Sequence, residues 1–139
     1  MAAVTRVKAR PASPPGYEVN DKGYIAGACI AGDQLVQDGA AALPYGYEMV
    51  WVKAPTTTIN AQGIALMDVG AAGGTVSVGI HGEMDGFSGM TRGTPLYPSA
   101  AVVGGLDTTA TTFAATTPAV AAQPNVRAIT ATRIRYSFL

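Results

Sequence analysis

The chain has one cysteine, Cys29, and one histidine, His81, among 139 residues. A single thiol excludes an intrachain disulfide framework, so the fold must rest on packing. A single imidazole leaves only His81 as a histidine base, and no serine sits in a Gly-x-Ser-x-Gly elbow; Ser88 lies only in GFSGM. Charge is scarce too: 13% of residues are charged, nine acids balance nine bases, and the formal net charge is zero. That balance removes the main sequence argument for a nucleic-acid binder. No apolar run approaches the length of a membrane-spanning helix, and the first residues lack the apolar core of a secretory signal, so synthesis and assembly in a cytoplasm are the simplest expectation. Aromatics make up only 7% and helical patterning is poor throughout; residues 33–43 could form one helical turn, which Gly39 keeps short.

What remains is small and apolar. Hydrophobic residues form 48% of the chain and there are 17 glycines, enough for a core in one domain but with little area buried per side chain. Self-association or docking on a larger surface would compensate. Charge is also unevenly placed. Arg6, Lys8, Arg10 and Lys22 lie near the start and Arg127, Arg133 and Arg135 near the end, while the middle holds seven acids against Lys53 and Arg92. Basic ends flank an acidic body, a pattern that suits a partner surface of complementary sign.

Residues 1–22 read as an extended, basic, proline-rich N-terminal arm, because Pro11, Pro14 and Pro15 favour polyproline-like backbone and exclude helix. Residues 23–139 read as a single β-domain: strand-sized apolar pieces recur between turn residues, as in a small barrel or sandwich. Residues 45–53 put Tyr47, Met49 and Trp51 on one face and Glu48, Val50 and Val52 on the other, the pattern of an inner strand. The stretch GGTVSVGIHGEMDGFS alternates most strictly, with Val76, Val78, Ile80 and Met84 on one face and Thr75, Ser77, His81, Glu83 and Asp85 on the other. Residues 104–125 are rich in Thr, Ala and Pro and read as a long exposed loop with one edge strand near 111–114. In VRAITATRIRYSFL, Val126, Ala128, Ile134, Tyr136 and Phe138 share a face opposite Arg127, Arg133 and Arg135.

His81, Glu83 and Asp85 project from one strand face, but same-face neighbours stand about 7 Å apart, too far for three ligands to converge readily. They are read as a solvated polar face. The glycines at 70–74 lead into a strand rather than a helix, which argues for a turn and against a phosphate cradle. Cys29, between Ala28 and Ile30, is read as a small core residue. These readings give no catalytic set, no metal site and no cofactor.

The succession QGIALMDVGAAGGTVSVGIHGEMDGFSG, then MTRGTPLYPSAAVVGGLDTT, then VRAITATRIRYSFL resembles the small capsid decoration (cement) proteins of tailed bacteriophages, over about residues 61–139. The resemblance implies a tulip-like β-barrel that forms a homotrimer on the outside of a phage head and bridges subunits of the major capsid protein. It implies a structural virion protein, and the charge balance, the lack of a membrane-length run and the lack of a catalytic set add the expectation of no direct nucleic-acid contact, no membrane association and no enzymatic activity. An arm that adds a strand to a capsid subunit would work by backbone hydrogen bonding, with Arg6, Lys8, Arg10, Pro14 and Pro15 in the arm, and Tyr97 in the Gly-Thr-Pro-Leu-Tyr turn, at the interface. The alternative is a head-fibre or tail-associated receptor- or glycan-binding module that stacks saccharides on Trp51, Tyr45 and Tyr47.

Overall fold

The computed structural model describes residues 3–110, 112–113, 120–121 and 124–139, and among them it contains strands and turns but no helix. The strands in chain order are β1 (Thr5–Pro11), β2 (Val19–Ile25), β3 (Gln34–Gln37), β4 (Val50–Lys53), β5 (Gly63–Ala65), β6 (Gly74–Ser88), β7 (Pro95–Pro98), β8 (Leu106–Asp107), β9 (Thr112–Phe113), β10 (Val120–Ala121), β11 (Val126–Ala128) and β12 (Arg133–Ser137). The all-β expectation holds: β2, β4, β3, β5 and β6 hydrogen-bond in that order, and β2 also pairs with β6, which closes a five-stranded barrel. Its pairings are antiparallel except for β2 with β4, where Tyr24 and Ile25 run parallel to Val50 and Trp51.

Five further strands build outward from the second half of β6. There β12 pairs on one side and β1 on the other, then β11, β7 and β8 follow β12. This path returns to its start: Ala3 bridges Asp107, and the Val4 N–H donates to the Leu106 carbonyl at 2.9 Å. The fifteen residues of β6 therefore belong to two circuits. Each circuit has its own core. Ile25, Cys29, Leu35, Trp51, Ala65, Val76 and Val78 fill the barrel, while Met84, Phe87, Leu96, Leu106, Val126, Ile134 and Tyr136 are among those that fill the other.

The alternation that defines β6 puts Val76 and Val78 fully inside, as expected, and Ile80 packs against the same cluster. The phase changes near its end. Arg6 pairs with Phe87 but Arg10 pairs with Asp85, so Val7, Lys8 and Ala9 stand opposite Gly86 alone. Gly86 adopts φ of 97°, which a side chain would resist, and the resulting bulge turns both Met84 and Phe87 inward.

Other expectations change in extent. The segment expected as an arm contributes β1 and most of β2, both bound to β6 in this chain's own sheet, so a boundary at residues 22–23 falls within β2. Extended, proline-rich backbone serves an edge strand and a turn as well as it serves an arm. The strand expected at 45–53 is shorter, beginning at Val50, because residues 44–48 form a turn in which the Tyr47 N–H reaches the Pro44 carbonyl at 3.2 Å. Residues 33–43 give β3 and a turn rather than a helical turn. Residues 104–107 are buried, with β8 in the core, so the exposed loop does not begin at 104; β9 and β10 form a two-stranded sheet, and positions 111, 114–119 and 122–123 lie outside the described residues.

Candidate docking surface

The charged residues of the two chain ends meet the acids of β6. Register places Arg133 opposite Asp85 and Arg135 opposite Glu83 on β12, and Arg10 opposite Asp85 on β1. Residues directly opposite in an antiparallel pair share a face, and ion pairs follow. Arg135 Nη2 lies 3.1 Å from Glu83 Oε2, Arg133 Nη1 lies 3.8 Å from Glu83 Oε1, Arg133 Nη2 lies 3.6 Å from Asp85 Oδ2 and Arg10 Nη2 lies 3.3 Å from Asp85 Oδ1. Glu83 is buried. The expected solvated polar face is therefore a cross-strand ladder, and the reason is the matched spacing: Glu83-x-Asp85 and Arg133-x-Arg135 are complementary patterns of period two.

The prolines of residues 11–15 fold against this ladder. The Ala12 N–H donates to the Glu83 carbonyl at 2.9 Å, and the Ser13 hydroxyl accepts from the Glu83 N–H at 2.7 Å. Pro14 and Pro15 are exposed in the turn that follows, where the Tyr17 N–H donates to the Pro14 carbonyl at 3.1 Å. The Tyr17 ring packs against His81 with centroids 4.7 Å apart, and the Arg135 guanidinium lies 5.8 Å from the Tyr17 centroid. His81 Nδ1 is buried without a hydrogen-bond partner among the described residues.

A further ion pair involves Arg6, near the start of β1. Arg6 Nη1 lies 2.9 Å from Asp33 Oδ1 and donates to the Ala31 carbonyl at 3.1 Å, while the other Asp33 oxygen accepts the Ile30 N–H at 2.9 Å. Both side chains are largely buried. Arg6 thus ties β1 to the loop before β3. Cys29 lies in the barrel core as expected, and burial, the Asp33 carboxylate and the Asp68 carboxylate push its thiol pKa upward.

Around Arg6 the surface is apolar. Val7, Ile30, Val102 and Val103 are all exposed, and two shallow grooves that share Arg6 and Ile30 run between them, one bounded by Val7, Lys8 and Asp68 and the other by Lys53, Val102 and Val103. Of the residues expected at an interface, Lys8 is exposed beside this patch, Arg10 is exposed but ion-paired, and Arg6 is committed to Asp33. Tyr97 lies elsewhere, half-buried on β7 opposite Asp107.

Trp51, Tyr45 and Tyr47 form no stacking surface. Trp51 is sealed in the barrel core because it is the bulkiest side chain on an inner strand, whereas Tyr45 is fully exposed in the loop and Tyr47 bonds the Thr75 hydroxyl. Among the described residues no group of three His, Cys, Asp or Glu side chains is placed to hold a metal ion. A groove of about 340 Å³ lined by Thr5, Ser88, Met90, Thr91, Leu96 and Thr108, with neighbouring small residues, opens at one end of the second circuit and carries no charge. The fold and these surfaces define a closed β-barrel extended by a second circuit, with its chemistry on outward-facing sheet and loop surfaces. No protein-family model, curated protein or solved structure matches the chain.

Proposed function

We propose that this chain is a structural virion protein that binds the outer surface of a phage head and stabilises the shell by bridging major capsid protein subunits, acting as a homotrimer and catalysing no reaction. The observation that carries the reading is the contiguous exposed apolar patch of Val7, Ile30, Val102 and Val103, with Lys8 at its margin. Scattered exposed hydrophobics are ordinary, but a contiguous patch rimmed by polar groups marks a contact with another macromolecule. The resemblance of residues 61–139 to capsid decoration proteins supplies the kind of partner.

The mechanism is thermodynamic. A protein that binds only the assembled shell lowers the free energy of that state by mass action. Attachment of one trimer through several equivalent contacts raises avidity without any new chemistry. Purified protein mixed with undecorated capsids should co-sediment with them to saturation and raise their disruption temperature, and Ile30→Asp should abolish the binding. Absence of co-sedimentation overturns the proposal, and sedimentation equilibrium of the free protein tests the trimer.

A further inference from the structure

The outward face of β1, β6, β12 and β11 is a grid of charge. Arg10, Asp85 and Arg133 form one row across three strands, and Glu83, Arg135 and Arg127 form the next. Three guanidiniums pair with two carboxylates while Arg127 flanks them, and depth separates the signs. The Glu83 and Asp85 side chains are 8% and 24% exposed, against 64%, 40% and 52% for Arg10, Arg133 and Arg135. Solvent therefore meets guanidinium groups with carboxylates beneath them.

One pair on this face is unfavourable by itself. Arg127 and Arg135 stand directly opposite on β11 and β12, where like charges destabilise a sheet. Arg135 is drawn to Glu83, and Arg127 turns the other way to donate to the Gly93 carbonyl at 2.6 Å. A carbonyl satisfies a hydrogen bond without neutralising the charge, so this side of the grid keeps an excess of positive charge.

We infer that this face is a docking surface for an acidic protein segment in extended conformation, with carboxylates at alternate positions. Alternate side chains of an extended chain repeat at about 7 Å, the spacing of Arg133 and Arg135 along β12. β6 already meets those two arginines with such a pattern, Glu83-x-Asp85. Guanidinium forks suit carboxylates, which they can bind through two parallel hydrogen bonds. Single-stranded nucleic acid is the poorer fit, since it is held by exposed aromatic platforms and a net positive field. The aromatic ring at this edge, Tyr17, is engaged by His81 and Arg135, and the chain's formal net charge is zero. The inference is independent of the capsid reading, because the apolar patch plays no part in it.

The test is fluorescence anisotropy of the full chain with a labelled ten-residue Glu-Thr repeat peptide in 50 mM NaCl. Binding should weaken about threefold in Arg127→Gln and about tenfold in Arg127→Glu. Arg127 is exposed, and neither change removes a carboxylate's partner, so circular dichroism should show an unchanged fold; Arg10→Gln, also exposed, gives a second reading on the other row. Lys22→Gln on β2 changes net charge by the same amount away from the grid and should leave affinity unaltered. Equal losses in Lys22→Gln and Arg127→Gln overturn the inference, as does a Gln-Thr peptide that binds equally well or a ten-nucleotide thymidine strand that binds more tightly.

Discussion

Gly23 is the point at which β2 makes room for Trp51, and replacing it with alanine tests the packing of the barrel. A methyl group at that position would lie 2.6 Å from Trp51 Cδ1, 2.7 Å from Trp51 Nε1 and 3.0 Å from the Met49 carbonyl oxygen. Carbon atoms pack comfortably at about 3.5–4.0 Å, so the ring must retreat by roughly 1 Å. It has nowhere to go: Trp51 is fully buried, and its Cζ3 edge approaches Gly63, where a methyl would stand 3.4 Å away. With two contacts below 3.0 Å, the overpacking cost falls in the upper part of the usual range, about 2–3 kcal/mol. Alanine recovers about 0.4–1 kcal/mol by restricting the unfolded chain, which leaves a net loss of about 1–2 kcal/mol. For a chain of 139 residues that lowers the melting temperature by roughly 3–7 °C. Trp51 is the sole tryptophan, so fluorescence-monitored melting reports on this site directly. Gly39→Ala is the control, since a methyl there meets nothing within 4 Å. A Gly23→Ala protein that melts within about 1 °C of the parent would refute the account of a barrel filled to its limit by one indole ring.

Three further outcomes are expected. Arg6→Ala should destabilise the protein by about 3 kcal/mol in urea titration because it strands the buried Asp33 carboxylate, whereas Arg10→Ala at its exposed pair should cost under about 1 kcal/mol; equal losses would contradict the burial argument. The Tyr136 pKa is pushed up to about 12, first by burial and then by the Glu18 charge, with a Ser13 hydrogen bond opposing. Against an unfolded value near 10, the folded state holds this proton more tightly, so the associated stability of about 2–3 kcal/mol is intact below pH ~10 and lost between about pH 10 and 12. Tyr136→Phe should flatten that part of the stability–pH curve relative to the parent, and an unchanged slope would contradict it. Cys29, buried and raised in pKa, should resist Ellman's reagent at about pH 8 in the native protein and react at once in urea; rapid native labelling would place the thiol outside the barrel core.

The strands with strong alternation were legible from the residues alone. Val76 and Val78 on β6, and Val126, Ala128, Ile134 and Tyr136 on β11 and β12, point inward as their periodicity requires. Trp51 was legible as part of an inner strand but equally suited a surface platform, because an aromatic between β-formers fits either setting until its neighbours are known. The pairing of the first 22 residues was not legible for a related reason. Proline-rich extended backbone looks alike whether it hangs free or pairs with a strand more than 60 residues away, and only the pairing of Arg10 with Asp85 distinguishes the two. The ladder carried a usable signal: an acid-x-acid run and an Arg-x-Arg run on two predicted strands are mutually complementary, and their antiparallel alignment gives the observed register. Asp33 carried none, since nothing in its immediate sequence indicates that Arg6 will reach it.

The long strand β6 has a consequence for how the molecule comes apart. Two separate pools of apolar side chains would ordinarily allow two melting transitions, one for each circuit. Here both circuits are closed on one continuous strand, the barrel on its first half and the second circuit on its second, with β2 and β12 meeting at His81, so opening either one frays a strand that the other still needs. The protein should therefore unfold in a single step, and the amides at the centre of β6, near Gly79–Gly82, should be the last to exchange with solvent. A load applied at the Arg6 side of the structure would pass through β6 to the Arg135 face, which makes that strand the mechanical spine of the protein.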